Sequence, residues 1–244
     1  EMIFGMDETC GWGDTAERQK VIGATGKRVQ VSQRNITRES TTLIVSVSAD
    51  GKVLRPYCIF KVCILFLLHF ISNSHFRVNC SPNAYTSDDI ALDWLDHFEN
   101  ETKELANGRK RLLLLDGHRS HHTWDFLQKA RSLGIICLGY PPHTTHVLQC
   151  LDVVGFSQFK RGWASLLFSR GQTSTAPVSK DNYLHLIEGP FLKAFTPSNI
   201  KAGFKKTGVC PFNSTVVTPS MMAPSIANSA NALFPMPQTS PVRA

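Results

Sequence analysis

Residues 111–160 read RLLLLDGHRSHHTWDFLQKARSLGIICLGYPPHTTHVLQCLDVVGFSQFK. Leu112 to Leu115 form a short apolar run between basic residues and Gly117, the pattern of a strand buried on both faces. Asp116 follows at once. A carboxylate is costly inside a sheet, so its natural place is the strand's C-terminal end, where open α/β sheets bind ligands. His122 to Leu133 carries Trp124, Phe126, Leu127, Ala130 and Leu133 at helical spacing, and Gly134 stops it. Ile135 to Leu138 reads as a second buried strand that Pro141 and Pro142 break. A polar loop, His143 to His146, then leads to Asp152 at the head of an amphipathic helix with Val153, Phe156, Phe159, Trp163, Leu166 and Leu167 on its apolar side. Strand, helix, strand and helix thus present two aspartates.

The start of the chain offers a third. Met2 to Met6 is a short apolar run ending in Asp7 and Glu8, which repeats the strand-end pattern of Asp116. Three carboxylates placed this way can hold two divalent ions about 3.5–4 Å apart for in-line attack on a phosphodiester. Mg²⁺ is the expected occupant because it takes oxygen ligands and keeps waters for substrate phosphates, and Mn²⁺ is expected to substitute.

Length and composition agree. A chain of 244 residues with 42% hydrophobic content can bury a sizeable core as one domain with extensions. A net charge of +7 and a pI near 9.1 favour a polyanionic partner. Seven cysteines form no CxxC pair, which points to reduced thiols in a cytosolic or nuclear protein.

The segments MDET (Met6 to Thr9), SADGKVLRPYCIFK (Ser48 to Lys61), LLLLDGHRSHH (Leu112 to His122) and YPPHTTHVLQCLDVVGFSQFK (Tyr140 to Lys160) closely resemble the DDE superfamily endonuclease domain of pogo and Tigger-type transposases, relatives of centromere protein B. The resemblance runs from about Ile3 to Phe212. It implies an α/β, RNase H-like fold, with a mixed central sheet flanked by helices, and a catalytic, metal-binding triad of Asp7, Asp116 and Asp152. One departure is visible: the family usually reads QPLD where this chain has Gln149, Cys150, Leu151 and Asp152. Losing that proline is expected to loosen the turn before the third acid while removing no ligand. Family members normally carry helix-turn-helix modules ahead of this domain, and a sequence beginning at Glu1 inside the first strand reads as a fragment.

Between the motifs, Thr41 to Val47 and Val53 to Phe60 read as a hairpin about Asp50-Gly51. Lys27, Arg28, Arg34 and Arg38 offer phosphate contacts or a solvated loop face. Residues 62–76 are an anomalous apolar insert, too short to span a bilayer of about 30 Å. A translated intron explains it: Val62-Cys63 can be encoded by GTATGT, a splice donor, and Ile71 to Arg77 by a tract with CTAAC and then TTTCAG, a branch site and an acceptor. Thr86 or Ser87 caps a helix reaching Thr102, whose Asp93, Asp96, Glu99 and Glu101 read as its solvated side. The pairs His118/His121 and His143/His146 suggest zinc only weakly, because they lie in loops and lack the i, i+4 spacing of a helical zinc motif. They are expected instead to order the acid loops, approach phosphate or move protons. Tyr183 to Phe195 and Pro197 to Thr207 read as two short helices. The domain is expected to span residues 1–212, with a disordered tail over 213–244 rich in Ser, Pro, Ala and Asn.

The functional expectation is a metal-dependent transposase endonuclease and strand-transfer domain in the nucleus, with DNA as partner, self-association, no membrane and no small-molecule cofactor. His118, His121, His146 and Lys160 are the expected DNA contacts. The alternative is an inactive, domesticated or decaying relative that only binds DNA.

Overall fold

The computed structural model describes residues 2–10, 41–61, 75–174 and 176–222. The expected phosphate contacts at Lys27, Arg28, Arg34 and Arg38 lie outside these residues, as does most of the apolar insert.

Six strands form one mixed sheet. β1 (Ile3–Cys10), β2 (Thr41–Ser48) and β3 (Tyr57–Lys61) are antiparallel neighbours, while β5 (Arg111–Leu115) and β6 (Ile135–Gly139) lie parallel to β1 on its other side. β4 (Arg77–Ser81) adds to the far edge parallel to β3, giving the order β4-β3-β2-β1-β5-β6. This is the expected RNase H-like arrangement, three antiparallel strands followed by parallel ones.

Alternation along the strands divides the core into two layers. Leu43, Val45, Val47, Cys58 and Phe60 face α4 (Phe156–Thr173), α5 (Lys180–Ala194) and α6 (Pro197–Lys206), where Phe159, Trp163, Tyr183, Phe191 and Phe204 are buried. Phe4, Met6, Ile44, Tyr57 and Ile59 face α1 (Asp88–Ala106) and α2 (Trp124–Ser132), whose Trp94, Phe98 and Phe126 stack in one aromatic group. Each such side chain contributes about 1.5–3 kcal/mol on burial, and both faces of β2 are covered.

Local signals set the helix ends. Ser87 accepts from the Ile90 N–H to start α1, and Asn107 ends it in a left-handed conformation with φ 45°. The acids of α1 are partnered side chains as well as a solvated face. Glu99 pairs at 2.6 Å with Arg111, which is buried at the start of β5, and Asp96 pairs at 2.6 Å with Lys129. Asp93 accepts from Tyr57 Oη and Asn79 Nδ2, tying α1 to β3 and β4.

Three expectations need correction. β6 is not buried on both faces: Ile136 is 50% and Leu138 54% exposed, because β6 is an edge strand with only β5 beside it. Trp124 and Leu127 do not share the buried face of α2, which is carried by Phe126 and Ala130, and Trp124 is 73% exposed. The hairpin does not return as a continuous strand over Val53 to Phe60, since after the turn Val53 makes a lone bridge to Val47 and regular pairing resumes at Tyr57. At the C-terminal end, Ser214–Val216 forms a 3₁₀ turn within the expected tail, and residues 223–244 lie outside the description.

Candidate active site

β1 does not stop at its acid pair. It runs on through Cys10, with Asp7 opposite Val45 and Glu8 opposite Ile44 on β2. On the other side the parallel pairing with β5 covers only Ile3 to Gly5. Asp7 therefore lies mid-strand, but one side of its strand has lost its neighbour, and that gap accommodates a carboxylate which a continuous sheet would not.

The second acid stands where expected, directly after β5. Asp116 Oδ1 accepts from the His118 N–H at 3.2 Å and lies 3.2 Å from His121 Nδ1. A 3₁₀ turn, Arg119–His121, folds His121 back under the acid. His121 is 1% exposed, and its other nitrogen, Nε2, lies 3.5 Å from Glu8 Oε1. Glu8 also accepts from Thr86 Oγ1 at 2.8 Å, just ahead of α1. The His121 imidazole thus joins the acid of β5 to the acid next to Asp7. It faces two carboxylates in the interior.

The third acid comes from a π-helical turn, Leu151–Gly155, ahead of α4. Its wide geometry is fixed by the Phe156 N–H reaching back five residues to the Leu151 carbonyl. Contacts with β1 and with the end of α5 hold this turn. Gln149, fully buried, donates from Nε2 to the Met6 carbonyl at 2.9 Å and accepts from Tyr140 Oη at 3.2 Å. Gly5 leaves room for Cys150, whose Sγ would lie 3.0 Å from a Cβ there. Gly155 is required by Phe195, whose ring would come within 2.5 Å of a Cβ.

Cys150 does not loosen the turn. Its φ of −60° is the value a proline ring imposes, and Gln149 before it is extended at φ −81° and ψ 109°. The backbone keeps a proline-compatible shape with a thiol in place of the ring.

The electrostatics show that the three acids share one space. Burial, then Asp152, Asp116 and Glu8, push the Asp7 carboxyl up to about 8, against a hydrogen bond from the Glu8 N–H. Burial also raises Asp152, aided by Asp116 and opposed by the Lys160 cation. Asp116 goes the other way: burial pushes it up, but the bonds from His121 and the His118 N–H and the charges of both imidazoles hold it below the usual carboxylate range. Burial lowers His121, but its bonds to Asp116 and Glu8 outweigh this and raise it to about 9. One acid is held ionised by a buried imidazolium, and a second keeps its proton near neutrality.

The remaining expected residues lie around the rim. Lys160 is exposed, sits 5.9 Å over the Phe156 ring, and is close enough to Asp152 to stabilise its charge. His118 is exposed with Nδ1 at 2.7 Å from Ser120 Oγ. His146 is exposed on the short α3 (Thr145–Leu148) and contacts the Met221 carbonyl at 3.2 Å. Sequence reasoning missed Glu8 as the partner of His121, and Gln149. Glu8 was visible as the second half of an acid pair, and Gln149 only as the first residue of the QPLD-like motif, with no sign of its role.

Residues 37–204 match the profile of the DDE superfamily endonuclease family. The chain belongs to that family. The match includes Asp116 and Asp152 and begins after Asp7, which joins them by geometry. Among curated relatives of this DDE domain, the MFS-type transporter clz9 of Cochliobolus lunatus is 30% identical over 226 residues, covering 89% of this chain and 24% of that protein. The pogo transposable element with KRAB domain of Homo sapiens is 27% identical over 148 residues, covering 61% of this chain and 24% of that protein. The chain spans about a quarter of the length of both. Among the described residues no helix is long and apolar enough to cross a membrane. The Mos1 mariner paired end complex with Mn shares the fold of this DDE domain, with a TM-score of 0.53 at 15% identity over 87% of this chain and 56% of that one.

Proposed function

We propose that this DDE domain is the catalytic unit of a transposase-type, divalent-metal-dependent DNA endonuclease and strand transferase, with Asp7, Asp116 and Asp152 as its metal-holding acids. The observation that carries this reading is the convergence of one acid from mid-β1, one from the end of β5 and one from the π-helical turn. Burial, with repulsion from Asp152 and Asp116 added to it, raises the Asp7 carboxyl to about 8. Such a cluster of hard oxygen donors calls for a small divalent cation, which fits Mg²⁺, or Mn²⁺ in its place. When bound, the metal supplies Lewis acidity, activating an attacking hydroxyl and stabilising the leaving oxygen of a phosphodiester.

The chain's own residues do the rest. His121 keeps Asp116 ionised and fixed in orientation, so that one acid is a permanent ligand. Asp7 releases its proton to the medium as it takes up its ligand role. Asp152 is carried on a turn that Gln149 ties to β1 and that Gly155 lets pack on Phe195 at the end of α5. Lys160 stands beside Asp152, where its cation meets a DNA phosphate with no reading of bases. Self-association on DNA and a nuclear location follow from the same reading, which the pogo-element relative and the paired-end neighbour support.

The test is Mg²⁺- or Mn²⁺-dependent nicking of supercoiled plasmid by the full chain beside Asp116→Ala. Nicking lost in the variant supports the reading. Equal nicking by both, or none by a folded wild-type chain with either metal, counts against it and favours a DNA-binding relic.

A further inference from the structure

We propose that Glu8, His118 and His121 form a binding site for one transition-metal ion of the zinc class, beside the three aspartates and separate from them. The site joins a carboxylate from β1 to two imidazoles from the turn after β5, and their ligand atoms all lie within 4.8 Å of one another. His121 Nε2 and Glu8 Oε1 are 3.5 Å apart. Donors about 2.0–2.1 Å from a tetrahedral ion stand roughly 3.4 Å from each other, so this pair is already at ligand spacing.

What distinguishes the group from a chance cluster is that a partner holds each ligand from outside. His121 presents Nδ1 to the Asp116 carboxylate at 3.2 Å, which fixes the tautomer that leaves Nε2 free to coordinate. His118 presents Nδ1 to the hydroxyl of buried Ser120 at 2.7 Å, leaving its own Nε2 for the metal. Glu8 accepts from Thr86 at 2.8 Å. A carboxylate, a hydroxyl and a second hydroxyl thus orient the three ligands, as outer-shell groups do around bound zinc.

The donor set selects the metal. Two nitrogens and one oxygen suit Zn²⁺ or Co²⁺, whereas Mg²⁺ prefers oxygen alone in an octahedron. The exposed His118 gives the ion a way in. The sequence argued against zinc because His118 and His121 lie in a loop and lack the i, i+4 spacing of a helical motif, which leaves a third ligand to come from elsewhere. The fold supplies it from Glu8, on another strand. A metal ion and the second proton of His121 are alternative occupants of the same place, so uptake displaces a proton.

Co²⁺ titration of the full chain carrying Asp7→Asn and Asp152→Asn, followed by visible absorption, tests the site with the aspartate centre disabled. Expected is one equivalent of Co²⁺ with the intense d–d bands of a four- or five-coordinate ion, displaced by Zn²⁺ and indifferent to millimolar Mg²⁺. His118→Ala in this background should abolish the bands, and because His118 is exposed, circular dichroism should show an unchanged fold. Ser120→Ala should weaken Co²⁺ binding on the order of 10-fold through the lost outer contact. Weak, octahedral-type bands, or the same titration with and without His118, would overturn the proposal.

Discussion

Gln149 donates to the carbonyl of Met6, the residue before Asp7, and stands three residues ahead of Asp152. Beyond Gly5, β5 no longer pairs with β1, and this side chain takes up the carbonyl that the sheet leaves over. Gln149→Ala should cost about 1–3 kcal/mol in thermal unfolding, because a buried carbonyl loses its partner. Nicking at saturating metal should fall by roughly 100-fold as Asp152 shifts from its place. Unchanged nicking in a destabilised variant would show that Asp152 is held independently of this bond.

Gly155 fills the last position of the π-helical turn against a ring with no room to retreat. Phe195 is buried among Phe156, Phe159 and Phe191. Gly155→Ala should therefore destabilise the protein by about 1–3 kcal/mol through overpacking, read as a lower melting temperature, and should impair nicking at the same time. Phe195→Leu in the same chain should recover part of both.

Cys150 sits in a backbone that a proline would adopt unchanged. As the residue leading into the π-helical turn, its N–H lies outside the helical ladder. Cys150→Pro should raise stability by about 0.4–1 kcal/mol by restricting the unfolded chain, with nicking retained. A loss of stability would mean that the thiol's packing against Gly5 outweighs the entropy gained.

The raised carboxyl of Asp7 gives a pH signature with a definite sign. Its folded value of about 8 exceeds the 3.8 of an unfolded aspartate, so the associated stability is complete below pH 3.8 and is lost as the pH climbs through 8. Metal-free protein should thus lose stability between about pH 4 and 8 through this group. At pH 8, Asp7→Asn should melt a few degrees higher than wild type without metal, yet fail to nick. Adding Mg²⁺ should raise the melting temperature of wild type and leave that of the variant nearly unchanged. Thermal scans at pH 5.5 and 8, with and without metal, check both halves.

Much of this was legible in the sequence for local reasons. The leucine run before Asp116, the stop at Gly134 and the Ser87 cap are encoded within a few residues of where they act. The failures arise where a distant element decides. IICLG has the composition of a buried strand, and only its position at the sheet edge exposes Ile136 and Leu138. Asp7 looks like a strand end because an acid rarely sits mid-strand, and it is tolerated there because β5 is in register with only the first part of β1. His118 and His121 look alike in sequence, yet one 3₁₀ turn leaves the first exposed and buries the second between two acids. Gln149 is marked in the sequence only as part of the QPLD-like motif, and its role exists only once Met6 lies beside it.

β3 and β4 run side by side in the same direction, with Tyr57 opposite Arg77 and Lys61 opposite Ser81. Parallel neighbours need a connection of about a dozen or more residues between them. Residues 62–76 number fifteen, which is chain enough. Splicing Lys61 directly to Arg77 would leave no return path, and β4 could rejoin the sheet only by reversing its direction. A chain joined directly from Lys61 to Arg77 should therefore lose the tie between Asn79 of β4 and Asp93 of α1.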